Sequence, residues 1–257
     1  MLRSESRAFQ QTLESRYAGF INPAAHPHAI FDIDLRNSPV GSNADEDLQV
    51  ELKAGLWSFQ RGDFVAQWDP DTGVGQIHQN ESPYGLDSVL RIVHSLLLAS
   101  SGGMLIHAAS AIRGGRAFLF SGVSGAGKTT ISRLAPPDVT LLTDEISYIR
   151  RSPDGYAACG TPFAGELAKA GENCSAPLDT IFLLEKGRAN RIEPIPVAQA
   201  AQALMRNILF FSHDRGLVEQ VFESACRLIE SVSVQRLVFF PDAHIWEIIG
   251  ATAGATT

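Results

Sequence analysis

Eight residues, Gly122-Val123-Ser124-Gly125-Ala126-Gly127-Lys128-Thr129, constrain the fold of this chain more than any other stretch. Two glycines five apart, then Lys and Thr, fit the pattern of a phosphate-cradling loop. Glycine lets the backbone curl tightly, so that several N–H groups point inward at an anion. Lys128 then reaches the outer phosphates, and the Thr129 hydroxyl can coordinate Mg²⁺. Such a loop works only between a strand and a helix, and both are legible. Ala117-Phe118-Leu119-Phe120 is a short apolar run that reads as a buried strand, and Thr130 to Leu134 continues a helix that must end before Pro136-Pro137. The dipole and free N–H groups at a helix N-terminus favour an anion there. The expectation is a nucleotide site formed by Gly122, Ser124, Gly125, Ala126, Gly127, Lys128, Thr129 and Thr130, taking ATP or another nucleoside triphosphate with Mg²⁺.

The rest of the chain organises around that core. Residues 28 to 80 read as β-rich, with strands at Phe31–Leu35, Leu56–Phe59, Phe64–Trp68 and Gly75–His78 separated by Arg61-Gly62-Asp63 and Asp69–Gly73 turns. Trp57 and Trp68 are expected to pack in that sheet. Residues 1 to 20 are either a short helix or an arm. Asp87 to Ser100 has a broad apolar helical face, stopped by Gly102-Gly103. A domain boundary near residue 100 gives a small β-rich domain, 1–100, and a catalytic domain, 101–257. In the second, Met104–Ile112 and Arg116–Ser121 read as a hairpin across Gly114-Gly115. Strands follow at Val139–Leu142, Ile146–Ile149, Gly155–Ala158, Thr180–Glu185 and Leu237–Phe240. Helices are expected at Val197–Phe210 and Leu217–Val232, and a polar tail from Ala251 to Thr257.

Binding phosphate is not yet chemistry, which needs a metal and a group to handle the acceptor. Thr143-Asp144-Glu145 follows the Val139–Leu142 strand. In a parallel sheet the C-terminal end of that strand faces the same crevice as the loop. One carboxylate there can hold Mg²⁺ and the other can take a proton from an attacking hydroxyl; a solvated acidic turn is the plainer alternative. His107 lies on the strand pairing with the one that feeds the loop, as a core residue or as a third participant.

Together these residues resemble the HPr kinase/phosphorylase family and, more distantly, ATP-dependent phosphoenolpyruvate carboxykinase. The shared pieces are the Gly122–Thr129 loop, the acidic pair Asp144-Glu145 on the next core strand, and His107-Ala108, fifteen positions before Gly122. The family carries Asp-Asp where this chain has Asp144-Glu145, and Gly where it has Ala108. The family's C-terminal signature for HPr binding has no clear counterpart. The chain is more similar to HPr-kinase-related proteins of peptide-biosynthesis clusters, with a small β-rich N-terminal region. The resemblance implies an α/β phosphate-loop core with a mixed sheet. It implies Asp144 as base, helped by His107; Lys128, placed by the loop motif, is the third candidate catalytic residue. It implies Glu145 as metal ligand with Thr129, Asp144 being a further ligand candidate. The implied reaction is transfer of the γ-phosphoryl of ATP to a serine hydroxyl of a peptide or small protein, and the implied assembly a homo-oligomer.

Other polar groups are ambiguous. Gly165-Glu166 is an ordinary turn or a loop that closes on substrate. Lys186, Arg188 and Arg191 are a solvated surface or a clamp for a transferring phosphoryl group. His213-Asp214-Arg215 is a helix–helix loop or a lid. A net charge of −7 argues against nucleic acid or anionic membrane as partner. Three cysteines without a CxxC pair, and an N-terminus without an apolar signal core, point to reduced thiols in the cytoplasm. Two alternatives to the kinase stay open: a non-catalytic nucleotide-dependent switch or scaffold, and a carboxykinase-like enzyme.

Overall fold

The structure, a computed structural model, describes residues 1–36 and 47–252. It is mixed α/β, with two mixed sheets. The chain divides into two compact units: residues 1–96 with 211–218, and residues 97–210 with 219–257.

The first unit holds a six-stranded sheet. β1 (Leu2–Ser4) pairs parallel to β2 (Ile30–Leu35) and is followed by α1 (Arg7–Arg16). The N-terminal region is therefore strand and helix. Ser6 caps α1 by accepting from Phe9 N–H, and Phe9 and Leu13, one turn apart, bury the same face. β3 (Gln49–Lys53), β4 (Leu56–Arg61), β5 (Phe64–Trp68) and β6 (Val74–Gln79) complete the sheet in the order β1-β2-β6-β5-β4-β3. Trp57 and Trp68 stand directly opposite each other across β4 and β5, both buried. The expected helix starts earlier than its apolar pattern: α2 runs Pro83–Ser101. Asp87 near its start is buried but paired, accepting from Arg16 and from the Tyr17 hydroxyl at 2.6 Å.

The second unit holds a nine-stranded sheet. β7 (Met104–Arg113) and β8 (Arg116–Ser121) form the expected hairpin, with Gly114 and Gly115 at positive φ. After α3 (Lys128–Arg133) come β9 (Thr140–Thr143), β10 (Ile146–Ser152), β11 (Gly155–Cys159) and β12 (Ser175–Lys186). Then follow β13 (Arg191–Pro194), α4 (Val197–Met205), β14 (Ile208–Leu209), α5 (Arg215–Ser231), β15 (Ser233–Phe239) and α6 (Ile245–Thr252). The main path is β11-β10-β7-β8-β12-β15-β13, and β12 returns to pair with β11.

Side chains alternate across these strands into two cores. Ile106, Leu119, Leu142, Ile181 and Leu228 fill one face, and Phe118, Phe120, Phe182, Phe239 and Trp246 the other. Burying each such side chain is worth about 1.5–3 kcal/mol. Phe182 stacks between Phe118 and Phe120, and Trp246 meets Phe120 edge-on at 5.5 Å.

Three expectations need correcting. The helix expected over 197–210 stops at Met205: the Asn207 amide donates to Ala203 C=O at 2.8 Å, and Ile208-Leu209 cross to β7 as β14. The strand before Asp144 is not in a parallel pair: β9 is antiparallel to β7, as β8 is, so β8 and β9 run the same way with β7 between them. The polar tail lies, from residue 253, outside the described residues, while residues 251 and 252 end α6.

Candidate functional site

The loop after β8 is built by close packing. Gly127 sits at φ +119°, where L side chains are strained, and a Cβ there would stand 2.8 Å from the Phe239 ring. Ala126 N–H closes the turn onto Val123 C=O, and α3 begins at Lys128. Its first N–H groups have no acceptor within the helix by geometry. The Trp246 indole, buried on α6, donates to Ile131 C=O at 3.1 Å and so ties α3 to the core. Lys128 is 8% exposed, and its ammonium folds back to donate to Gly122 C=O at 2.9 Å and Val123 C=O at 3.4 Å.

The acidic pair occupies the link between β9 and β10. There Thr143 Oγ1 accepts from both Glu145 and Ile146 N–H at 3.2 Å, which turns the backbone. Ala108 N–H donates to Glu145 C=O, and His107 stands opposite Ile146. On the other edge of β7, His107 N–H donates to Asn207 C=O at 2.7 Å. Asp144 is buried, and its carboxylate clamps a loop: Oδ1 accepts from Gly165 N–H and Oδ2 from Leu167 N–H, both at 2.9 Å. Gly165 is required by this contact, since a Cβ would lie 2.8 Å from Asp144 Oδ2 and from Glu145 Cβ.

These pieces surround one cavity of about 310 Å³, lined by His107, Ser124, Gly125, Gly127, Lys128, Thr129, Thr130, Asp144, Glu145 and Glu166. Gly122 and Ala126 do not line it. The first accepts from Lys128 and the second packs beneath the loop. Glu166 is the residue that sequence reasoning left as part of an ambiguous turn. No spacing rule connects it to the loop, and the preceding Gly165 was its only signal.

Burial pushes the Lys128 ammonium below the usual lysine range, while Glu145 and Glu166 oppose that shift. One lysine thus faces three carboxylates, an excess of negative charge that would repel a bare polyphosphate. A hard divalent cation would offset that excess, and Thr129 with Glu145 could supply oxygen donors of the kind Mg²⁺ prefers, usually one or two carboxylates completed by phosphates. Among the described residues, no group of three or more His, Cys, Asp or Glu side chains is arranged to hold a metal ion.

Other candidates fall elsewhere. Arg191 pairs with Glu193, and Lys186 and Arg188 are exposed; none of the three lines the cavity. Asp214 caps the start of α5 by accepting from Leu217 N–H at 2.9 Å. Cys159, Cys174 and Cys226 are free thiols. In the first unit a larger cavity of about 620 Å³ is lined by charges that pair among themselves, Arg3 with Asp32 and His78 with Asp34. No described helix is long and apolar enough to cross a membrane.

Residues 79–251 match the family model described as SynChlorMet cassette protein ScmC. No curated protein matches the chain.

Proposed function

The chain belongs to the ScmC family, and we propose that it is a nucleotide- and Mg²⁺-dependent phosphotransferase acting on a serine-type hydroxyl of a peptide or small protein. One observation carries this reading: a single cavity joins Lys128 and Thr129 of the glycine loop to Asp144, Glu145 and His107. The resemblance to HPr-kinase-like proteins supports the same assignment, as do three free thiols for a cytoplasmic setting.

Backbone N–H groups of Ser124, Gly125, Gly127, Lys128 and Thr129 cradle the phosphates, and Lys128 offsets charge on the outer oxygens. Thr129 and Glu145 would hold Mg²⁺, which supplies charge neutralisation and alignment of the terminal phosphate. Asp144 takes the proton of the attacking hydroxyl, with His107 in the same cavity supporting it. A carboxylate has about four lone-pair positions. The bonds from Gly165 and Leu167 use two, so acceptance remains open while orientation is fixed.

The test is transfer from γ-labelled ATP with Mg²⁺ to serine-bearing peptides and small proteins, with Lys128→Ala as control. Label on serine that is lost in the variant supports the reading; tight ATP binding without transfer or hydrolysis overturns it. That outcome would favour a non-catalytic nucleotide switch, in which Asp144 serves only to hold the Gly165–Leu167 loop.

A further inference from the structure

A second cavity, about 500 Å³, borders the first. Val139, Thr140, Leu141 and Thr143 form one wall, and Leu167 with Lys169 to Cys174 the other. Asp144 is the one residue that lines both cavities. We infer that this groove receives the phosphoryl acceptor as an uncharged, hydroxyl-bearing stretch of polypeptide, an inference that rests on the phosphotransferase reading.

The groove's charges are Asp144, Glu172 and Lys169, one more negative than positive. An anionic acceptor would be disfavoured, and a small carboxylic acid would find a single cation, Lys169, set against two carboxylates. Val139, Leu141, Leu167 and Ala170 instead alternate with Thr140, Thr143 and Asn173, a lining suited to main chain and short side chains. The walls are preformed: Glu172 N–H donates to Leu141 C=O at 3.0 Å, and Gly160 N–H to Cys174 C=O at 2.9 Å. A hydroxyl presented from this groove meets Asp144, which also lines the loop cavity, so one carboxylate borders both the acceptor and the phosphate. Its oxygen forms the new bond to phosphorus and its proton passes to Asp144. The bridging P–O bond of the phosphoanhydride breaks, and the nucleoside diphosphate leaves with that electron pair.

Cys174, exposed and in the groove, permits a test that needs no knowledge of the natural acceptor. In a Cys159→Ala, Cys226→Ala background, capped peptides of one Cys, a glycine spacer and one Ser are attached to Cys174 by a disulfide. Spacers of about two to eight glycines reach different depths, and tethering supplies an effective concentration of roughly millimolar. The same peptides on an Arg188→Cys, Cys174→Ala protein are the control, since Arg188 is exposed and outside the groove.

With Mg²⁺ and γ-labelled ATP, serine tethered at Cys174 should be phosphorylated at least about tenfold more than the control. Ala170→Trp, which fills the groove, should remove that labelling while ATP affinity stays within about twofold. A protein that binds and hydrolyses ATP yet labels both tethers equally, or neither, overturns the groove assignment and leaves the phosphotransferase reading intact. A protein that neither hydrolyses ATP nor labels any serine overturns that reading, and the groove assignment with it.

Discussion

The Asp144 carboxylate is bonded to the Gly165 backbone at 2.9 Å, and the same carboxylate holds Leu167 two residues on. A side chain suited to proton acceptance is thus also the anchor of the loop beside it.

Asp144→Asn should therefore do two things. The amide NH₂ must face either Gly165 N–H or Leu167 N–H, donor against donor, at a cost of about 1–3 kcal/mol. Transfer should fall by at least about a hundredfold, and amide exchange across residues 163–168 should quicken. Loss of transfer with unchanged exchange would separate the two roles.

Gly165→Ala tests the contact from the other side. The added methyl meets Asp144 Oδ2 and Glu145 Cβ at 2.8 Å, so the loop must back away. Transfer should drop about ten- to a hundredfold while ATP affinity, measured by titration calorimetry, changes less than about threefold.

Gly127→Ala strikes the glycine-loop side of the cavity. Positive φ and the Phe239 ring both oppose a side chain. A loss of about 1–3 kcal/mol should lower Tm by several degrees, and ATP affinity should fall at least about tenfold. Adding Phe239→Ala should not restore affinity, because it relieves the clash and leaves the φ penalty.

His94, part-buried on α2, has its pKa pushed down to about 4 by burial, against 6.5 for the unperturbed group. Between those values the unfolded chain binds a proton that the folded chain does not. The His94 contribution is complete above about pH 6.5 and should be lost as pH drops towards 4, by at most about 3 kcal/mol. Urea unfolding across that range should show the slope, and His94→Gln should flatten it.

The glycine loop, its flanking strand and its helix were legible because local spacing and packing demand the same residues. Asp144 and Glu145 were legible as neighbours of the loop from their place directly after a core strand, and His107 through a resemblance in its register. Less was legible where distant pairing overrides local pattern. Ile208-Leu209 continue an apolar helical rhythm, yet β7 offers them an open edge, and Asn207 ends α4 before them. Strand β13 looked like a cationic surface because Arg191 pairs with Glu193 only once the strand is laid against β15. Glu166 enters the cavity through a loop whose position is set by Asp144, a dependence that no sequence window contains.

Strand β7 meets β8 and β14 along its length and also β9 and β10, and its partners lie at very different distances along the chain. The β7–β8 hairpin closes over two residues and should be the fastest of these pairings to form, whereas β14 must return across just over a hundred residues. His107 is held by β10 and by Asn207 just before β14, so the expectation is a cavity completed after the hairpin. In a refolding experiment, ATP binding should appear with the slowest phase, after most of the sheet signal has returned. The site then acts as the chain's own report that assembly is finished.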